Sequence, residues 1–293
     1  MKHSKKNKKY RRRRTLKRIR HIPYTNIYIN GGAKNKTYSF YNRFHYGDNI
    51  LNLKFLYNIS KELKNDNIKI NYYYEPLYIK NIDELQRYVD NDVLTLDILS
   101  NKPNDAIELW MNNPINNTSY MNDFNIYYDL FYKNILNILG LNNLNINTSL
   151  YQKEDYLQDI YNNINKKFHN LDILFINAEP KSGQFNYDNL KMNAVCIKLA
   201  DKYNIATTSP VNSSIKCTFS DGLKIQDIGA ISTHVKYIIA VNSGPICACF
   251  TEATKQSVKK WIILDKNDYK YNNINYMLIK SIDELDNIEE YLK

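Results

Sequence analysis

Three short stretches of this chain carry residue types that chemistry at a ligand would use. The first, His45-Tyr46-Gly47-Asp48, sets an imidazole beside a carboxylate, two groups that commonly move protons. The second, residues 178–186 (AEPKSGQFN), offers the Lys181 ammonium next to Ser182 and Gly183, a combination that can neutralise a diphosphate. The third is Asn242-Ser243-Gly244-Pro245, set between an apolar run and a run of small residues. There Gly244 lets backbone approach a ligand closely, and Pro245 suits the first turn of a helix whose free N–H groups favour an anion. Each stretch also has a purely structural explanation. Asp48 at a helix start can cap that helix or favour its dipole, Lys181 can be a solvated loop lysine, and Asn242–Pro245 can be a plain strand-to-helix turn. The third stretch matches neither G-x-G-x-x-G nor a Gly-Lys-Ser/Thr phosphate loop.

The elements that must position these loops read as two series of alternating strands and helices. In the first series, "TNIYIN" and "KTYSFYNRF" are strands and 45–49 is a turn. Apolar residues then recur at helical spacing from Ile50 to about Lys64. Strands at 68–75, 93–99 and 105–111, a helix at 81–89 and a long apolar-striped helix at 124–141 complete it. Residues 142–149, "NNLNINTS", are polar and aperiodic and form the linker. The second series places strands at 171–179, 204–209, 215–219, 236–242 and 259–265. Helices fall at 156–168, 187–203, 225–235, 244–256 and 281–293, the last opened by a Ser281/Glu284 capping box. "YIKNIDEL" and "LIKSIDEL" echo each other as strand–cap–helix junctions, with no period continuing between them. Such alternation predicts an α/β fold with parallel sheets covered on both faces, in which ligands bind beyond the carboxyl ends of strands.

Composition bounds the partners. The chain has 293 residues, 26 of them Tyr, and a formal net charge of +10. Residues 1–20 hold twelve Lys/Arg and no acid; setting those aside leaves 28 basic against 30 acidic residues, a net of −2. The basicity therefore belongs to a tail with almost nothing to bury, predicted to be disordered. It is suited either to contact with nucleic acid, an anionic surface or a targeting receptor, or to keeping the chain soluble. The near-neutral body lacks the positive excess of a surface that tracks a polyphosphate backbone. No apolar run of membrane-spanning length and no signal peptide is present. Cys196, Cys217, Cys247 and Cys249 fit no disulfide framework and read as small buried thiols, which points to a reducing, cytoplasmic compartment.

"YGDNILNLKFLYNISKEL" resembles the GD-x-x-x-x-x-P opening of heptosyltransferase-like glycosyltransferases, with Lys54 where those have proline. "IQDIGAISTHVKYIIAVNSGPICAC" resembles their C-terminal stretch, where a helix and a strand lead to D-S-G-P-x-H; "YKNILNILGL" and "EPKSGQFN" fall in matching order. The resemblance implies the GT-B architecture of two Rossmann-like domains facing each other across a cleft, here at residues 21–145 and 150–293, with the tail at 1–20. It further implies a metal-independent, inverting transfer of sugar from a nucleotide-diphosphate sugar to a hydroxyl of a glycan or protein acceptor. Asp48 would be the base, with His45 beside it. Lys181, Ser182, Gly183, Asn242, Ser243, Gly244 and Pro245 would hold the donor, and no cofactor beyond that co-substrate is implied. Two departures matter: Asn242 stands where the family has Asp, and Cys247 where it has His. They imply either a different donor sugar or lost catalytic capacity. The alternative is accordingly a non-catalytic or degenerate transferase-fold protein, in a structural or binding role, with a polyanion-binding tail. The A/T-coded composition and the tail together are similar to those of proteins from large DNA viruses with AT-rich genomes.

Overall fold

The computed structural model describes residues 36–43, 45–64, 66–75, 84–89, 92–109, 122–181 and 183–293. The basic tail, the strand expected at 25–30, the start of the helix expected at 81–89, and Ser182 lie outside the described residues.

A four-stranded parallel sheet has the order β3-β2-β1-β4, built from β1 (Lys36–Asn42), β2 (Ile68–Tyr74), β3 (Leu94–Ile98) and β4 (Ile107–Glu108). A second parallel sheet has the order β10-β9-β8-β5-β6-β7. Its strands are β5 (Ile173–Ile176), β6 (Ile205–Thr207), β7 (Lys216–Cys217), β8 (Tyr237–Val241), β9 (Lys260–Leu264) and β10 (Tyr276–Ile279). The run "ILFI" of β5 is buried at every residue, as expected of a central parallel strand covered on both faces. In each sheet the strand order reverses once among the described strands, between β1 and β4 in the first and between β5 and β8 in the second. Such reversal points open crevices at strand carboxyl ends, and the three loops singled out from sequence follow β1, β5 and β8.

The helices are α1 (Tyr46–Glu62), α2 (Phe124–Leu139), α3 (Leu157–Asn163), α4 (Asn189–Ala200), α5 (Ile225–Ser232), α6 (Ile246–Cys249), α7 (Glu252–Ser257) and α8 (Ile288–Tyr291). Helix α2 starts where Asp123 accepts from the N–H groups of Asn125 and Ile126, and ends at Gly140, whose φ of 74° is the left-handed turn that glycine adopts freely. It ties the sheets together. Tyr132 stacks on Phe55 of α1 with ring centroids 3.9 Å apart, while Phe124 stacks on Tyr271 near β10.

Four expected segments take a different helical form. The turn expected at 45–49 is helical from Tyr46 onwards, so Gly47 and Asp48 lie inside the first turn of α1. The single helix expected over 244–256 is two short ones, because Phe250 leaves the helical conformation and the Thr251 side chain caps α7. The helix expected at 81–89 is a tighter 3₁₀ turn in its described part, at Gln86–Tyr88, and the one expected at 281–293 opens as a 3₁₀ turn at Ile282–Asn287, with the Ser281/Glu284 capping box present, before continuing as α8. Strand β10, read from sequence only as part of a junction, completes the second sheet.

Candidate functional site

Asp48 sits at the third helical position of α1, and the N-cap is His45, whose side chain makes no capping bond. Asp48 is half-buried, and desolvation pushes its carboxyl up to about 6. Asn49 and Asn52 seat this end of the helix on the sheet. The Tyr72 hydroxyl of β2 donates to Asn49 Oδ1 at 3.0 Å, and Asn52 Nδ2 donates to the Tyr72 hydroxyl and the Leu109 carbonyl, both at 3.2 Å. The Tyr46 hydroxyl bonds Glu84, and Gln226 of α5 bonds the Glu84 carbonyl.

The turn after β8 lies directly against this helix start. A Cβ built on Gly244 would stand 3.4 Å from Gly47 N and 3.4 Å from Tyr46 Cβ; one on Gly47 would meet Cys247 Sγ at 2.8 Å. Two loops about two hundred residues apart in sequence thus pack backbone to backbone. The close approach that Gly244 permits is used on this side by the chain itself. Within the turn, the N–H groups of Ile246, Cys247 and Ala248 donate to Ser243, Gly244 and Pro245. The N–H groups of Ser243 and Gly244 have no acceptor among the described residues, and the buried Ser243 Oγ has no partner there either. Helix α6 is a single turn, so any anion held here is held by these donors and hardly by a helix dipole.

The two departures from the resembled motif now have surroundings. Asn242 Nδ2 bonds Oδ2 of Asp265, a fully buried carboxylate at the end of the adjacent strand β9. Asp265 Oδ1 accepts from Asn267 N and Nδ2, each at 2.8 Å, while burial raises its pKa. A carboxylate thus stands one strand over from residue 242, with Asn242 as its donor; a carboxylate at 242 would face a second carboxylate. Cys247 packs against Gly47, and burial first, then the Asp48 charge, push its thiol far above the ordinary range, so it holds its proton. It is half-buried; the other three cysteines are buried, and all four are free.

Lys181 and Gly183 are exposed on the loop after β5; Gly183 has φ 69° and open space where a side chain would be. The Lys266 N–H donates to the Gln184 carbonyl at 2.8 Å, which ties the far end of this loop to β9 and brings a second exposed lysine beside it. The structure thus brings the helix start that carries Asp48 against the Ser243–Pro245 turn through Gly47 and Tyr46, and Lys181 to the same sheet edge through its neighbours.

Sequence reading noted Lys54 only as a departure. Lys54 is fully buried, with its ammonium 2.8 Å from Glu154 Oε1 and 3.2, 3.1 and 3.1 Å from the carbonyls of Cys247, Ala248 and Phe250. Desolvation pulls its pKa down, and the carboxylate and carbonyls favour the charged form. Its position four residues after Ile50 on an apolar stripe was the available signal. Asp265 and Lys266 carried none. A separate cleft of about 520 Å³, lined in part by Tyr57, Arg87, Tyr156, Asp159 and Asp227, includes no residue of the three loops. Among the described residues no cluster of three or more metal-binding side chains occurs, and no helix is long and apolar enough to cross a membrane.

This arrangement of two parallel sheets has relatives of known structure. The chain shares its fold with a family 9 glycosyl transferase from Veillonella parvula DSM 2008, at a TM-score of 0.50 and 12% identity, over 89% of this chain and 98% of that one. It is also similar to the E. coli heptosyltransferase WaaC solved with ADP-2-deoxy-2-fluoro heptose, at a TM-score of 0.49 and 10% identity, over 87% and 98% of the two chains. No family model and no curated protein matches the sequence.

Proposed function

We propose that this chain is a glycosyltransferase that moves a sugar from a nucleotide-diphosphate sugar to an acceptor hydroxyl by direct displacement with inversion. The observation that carries this reading is the contact between the start of α1 and the turn after β8. It sets a carboxyl with a pKa raised to about 6 beside a turn with three unpartnered donors. Asp48 would take the acceptor proton, and a base whose pKa lies near the working pH is better matched to that task than an ordinary aspartate. Ser243 and Gly244 donors, with Lys181 and Lys266 at the same sheet edge, would stabilise the charge on the departing diphosphate. The half-buried Asn242, held by Asp265, would stand where a donor's nucleoside hydroxyls could bond.

One observation favours a second reading, a transferase fold that binds a nucleotide without turnover. The thiol at Cys247 is directed at Gly47 and keeps its proton, so it supplies none of the donor strength of an imidazole.

A thermal-shift panel of ADP, UDP, GDP and their sugars on the full chain tests both. Saturation at about 100 times the dissociation constant stabilises the fold by about 2.7 kcal/mol. With a hit in hand, Asp48→Asn is expected to cut turnover by about 10²–10⁴-fold with nucleotide affinity retained. Nucleotide binding without turnover in the natural chain selects the second reading, and no shift across the panel rejects both.

A further inference from the structure

Burying a lysine is costly, and a buried ion pair can often be replaced by well-packed apolar residues without loss of stability. The partners of Lys54 therefore call for a reason beyond general cohesion. Three are carbonyls of α6 and its exit, at Cys247, Ala248 and Phe250. A single turn of helix cannot hold itself together, and the last carbonyls of a helix have no partner within it. Lys54 supplies those partners from α1, and Glu154 balances its charge from the segment before α3. Gly229 of α5 packs against the same stretch, where an added Cβ would stand 2.9 Å from the Ala248 carbonyl oxygen that Lys54 also bonds.

Asp48 and Lys54 lie on the same helix, six residues and about 9 Å of rise apart. One end of the Ser243–Phe250 segment rests on Gly47 beside Asp48, and the other end hangs on Lys54. We propose that Lys54 is a positioning residue that clamps α6 onto α1 and so fixes the Ser243–Pro245 turn at its distance from Asp48. Its bearing on catalysis rests on the transferase reading; the clamp itself does not.

Cys247 is the built-in reporter, since its thiol lies in the clamped interface. The test compares the alkylation rate of each cysteine, by iodoacetamide and peptide mass spectrometry, in the full chain and two variants. The double variant Lys54→Met/Glu154→Leu removes the clamp without leaving a buried unpaired charge. Glu154→Gln keeps the lysine and its three carbonyl bonds. We expect the double variant to melt cooperatively and to label Cys247 about tenfold faster, with Cys196 and Cys217 unchanged. Glu154→Gln should keep Cys247 protected. Unchanged Cys247 labelling in the double variant, equal acceleration at every cysteine, or full loss of protection in Glu154→Gln would each overturn the proposal. ADP and UDP titrations of the same proteins form the second arm: affinity should fall in the double variant and persist in Glu154→Gln. If the natural chain binds neither nucleotide, the transferase reading fails while the labelling result still decides the clamp.

Discussion

Two loops at the carboxyl edge of the second sheet differ in how they are held. The Asn242–Pro245 turn is packed against Gly47, followed by a helix turn fastened to Lys54, and backed by Gly229 of α5. The Lys181–Gly183 loop stands in the open, with no atom within 4 Å of where a Gly183 side chain would be. The first loop is half-buried and its Gly244 backbone lies against Gly47 and Tyr46. In the second, Gln184 at the far end is tied to Lys266, while the Gly183 N–H reaches back to the Pro180 carbonyl of the same loop. On the proposed transferase reading, the packed loop would fix the base relative to the ligand and the open one would adjust once the ligand arrives.

The comparison breaks most visibly at the packed side. Gly229→Ala should gain helix propensity of about 1 kcal/mol in isolation. In this fold its new Cβ meets a backbone carbonyl oxygen, which side-chain rotation cannot relieve. A net loss of about 1–3 kcal/mol by denaturant melting is expected; a net gain would show that α6 is free to shift.

A smaller effect tests the electrostatics of the same contact. The Asp48 carboxyl titrates at about 6 when folded, against an ordinary value of 3.8, so between those values the folded state binds the extra proton. Stability therefore declines as pH rises through that window and the contribution is gone above it. Asp48→Asn should stabilise the fold at pH 7 by on the order of 1–3 kcal/mol, with the gain fading as pH falls from 6 to 4. A gain independent of pH would show that it does not come from the carboxyl's charge.

The smallest stability effect belongs to the open loop. Lys181→Ala should change stability by no more than about 0.5 kcal/mol while weakening nucleoside-diphosphate binding. A loss of stability without a change in affinity would make Lys181 structural and erase the contrast.

Much of this was legible from residues alone. Strands β1, β2, β5, β8 and β9 follow from β-branched and aromatic runs bounded by polar turns, and the reversal points place their loops at ligand crevices. The start of α1 was not legible, because Gly47 and Asp48 read locally as a turn. They are helical because a distant segment packs on Gly47 and needs the space its missing side chain leaves. The break at Phe250 was hidden for the same reason, since its carbonyl is satisfied by Lys54, 196 residues earlier. Asp265 drew no notice because its meaning depends on Asn242, its neighbour only across the strand pair β8–β9.

The reach of Lys54 also sets a timetable for synthesis. Its last carbonyl partner is Phe250. At about 5–20 residues per second, on the order of 10–40 s pass between the ribosome adding the lysine and adding that partner. Through that interval the first sheet can assemble, but α1 must keep a cation out of any completed interior. The ion pair with Glu154 can form first, and the carbonyl part of the lysine's surroundings is complete only once Cys247, Ala248 and Phe250 have been made.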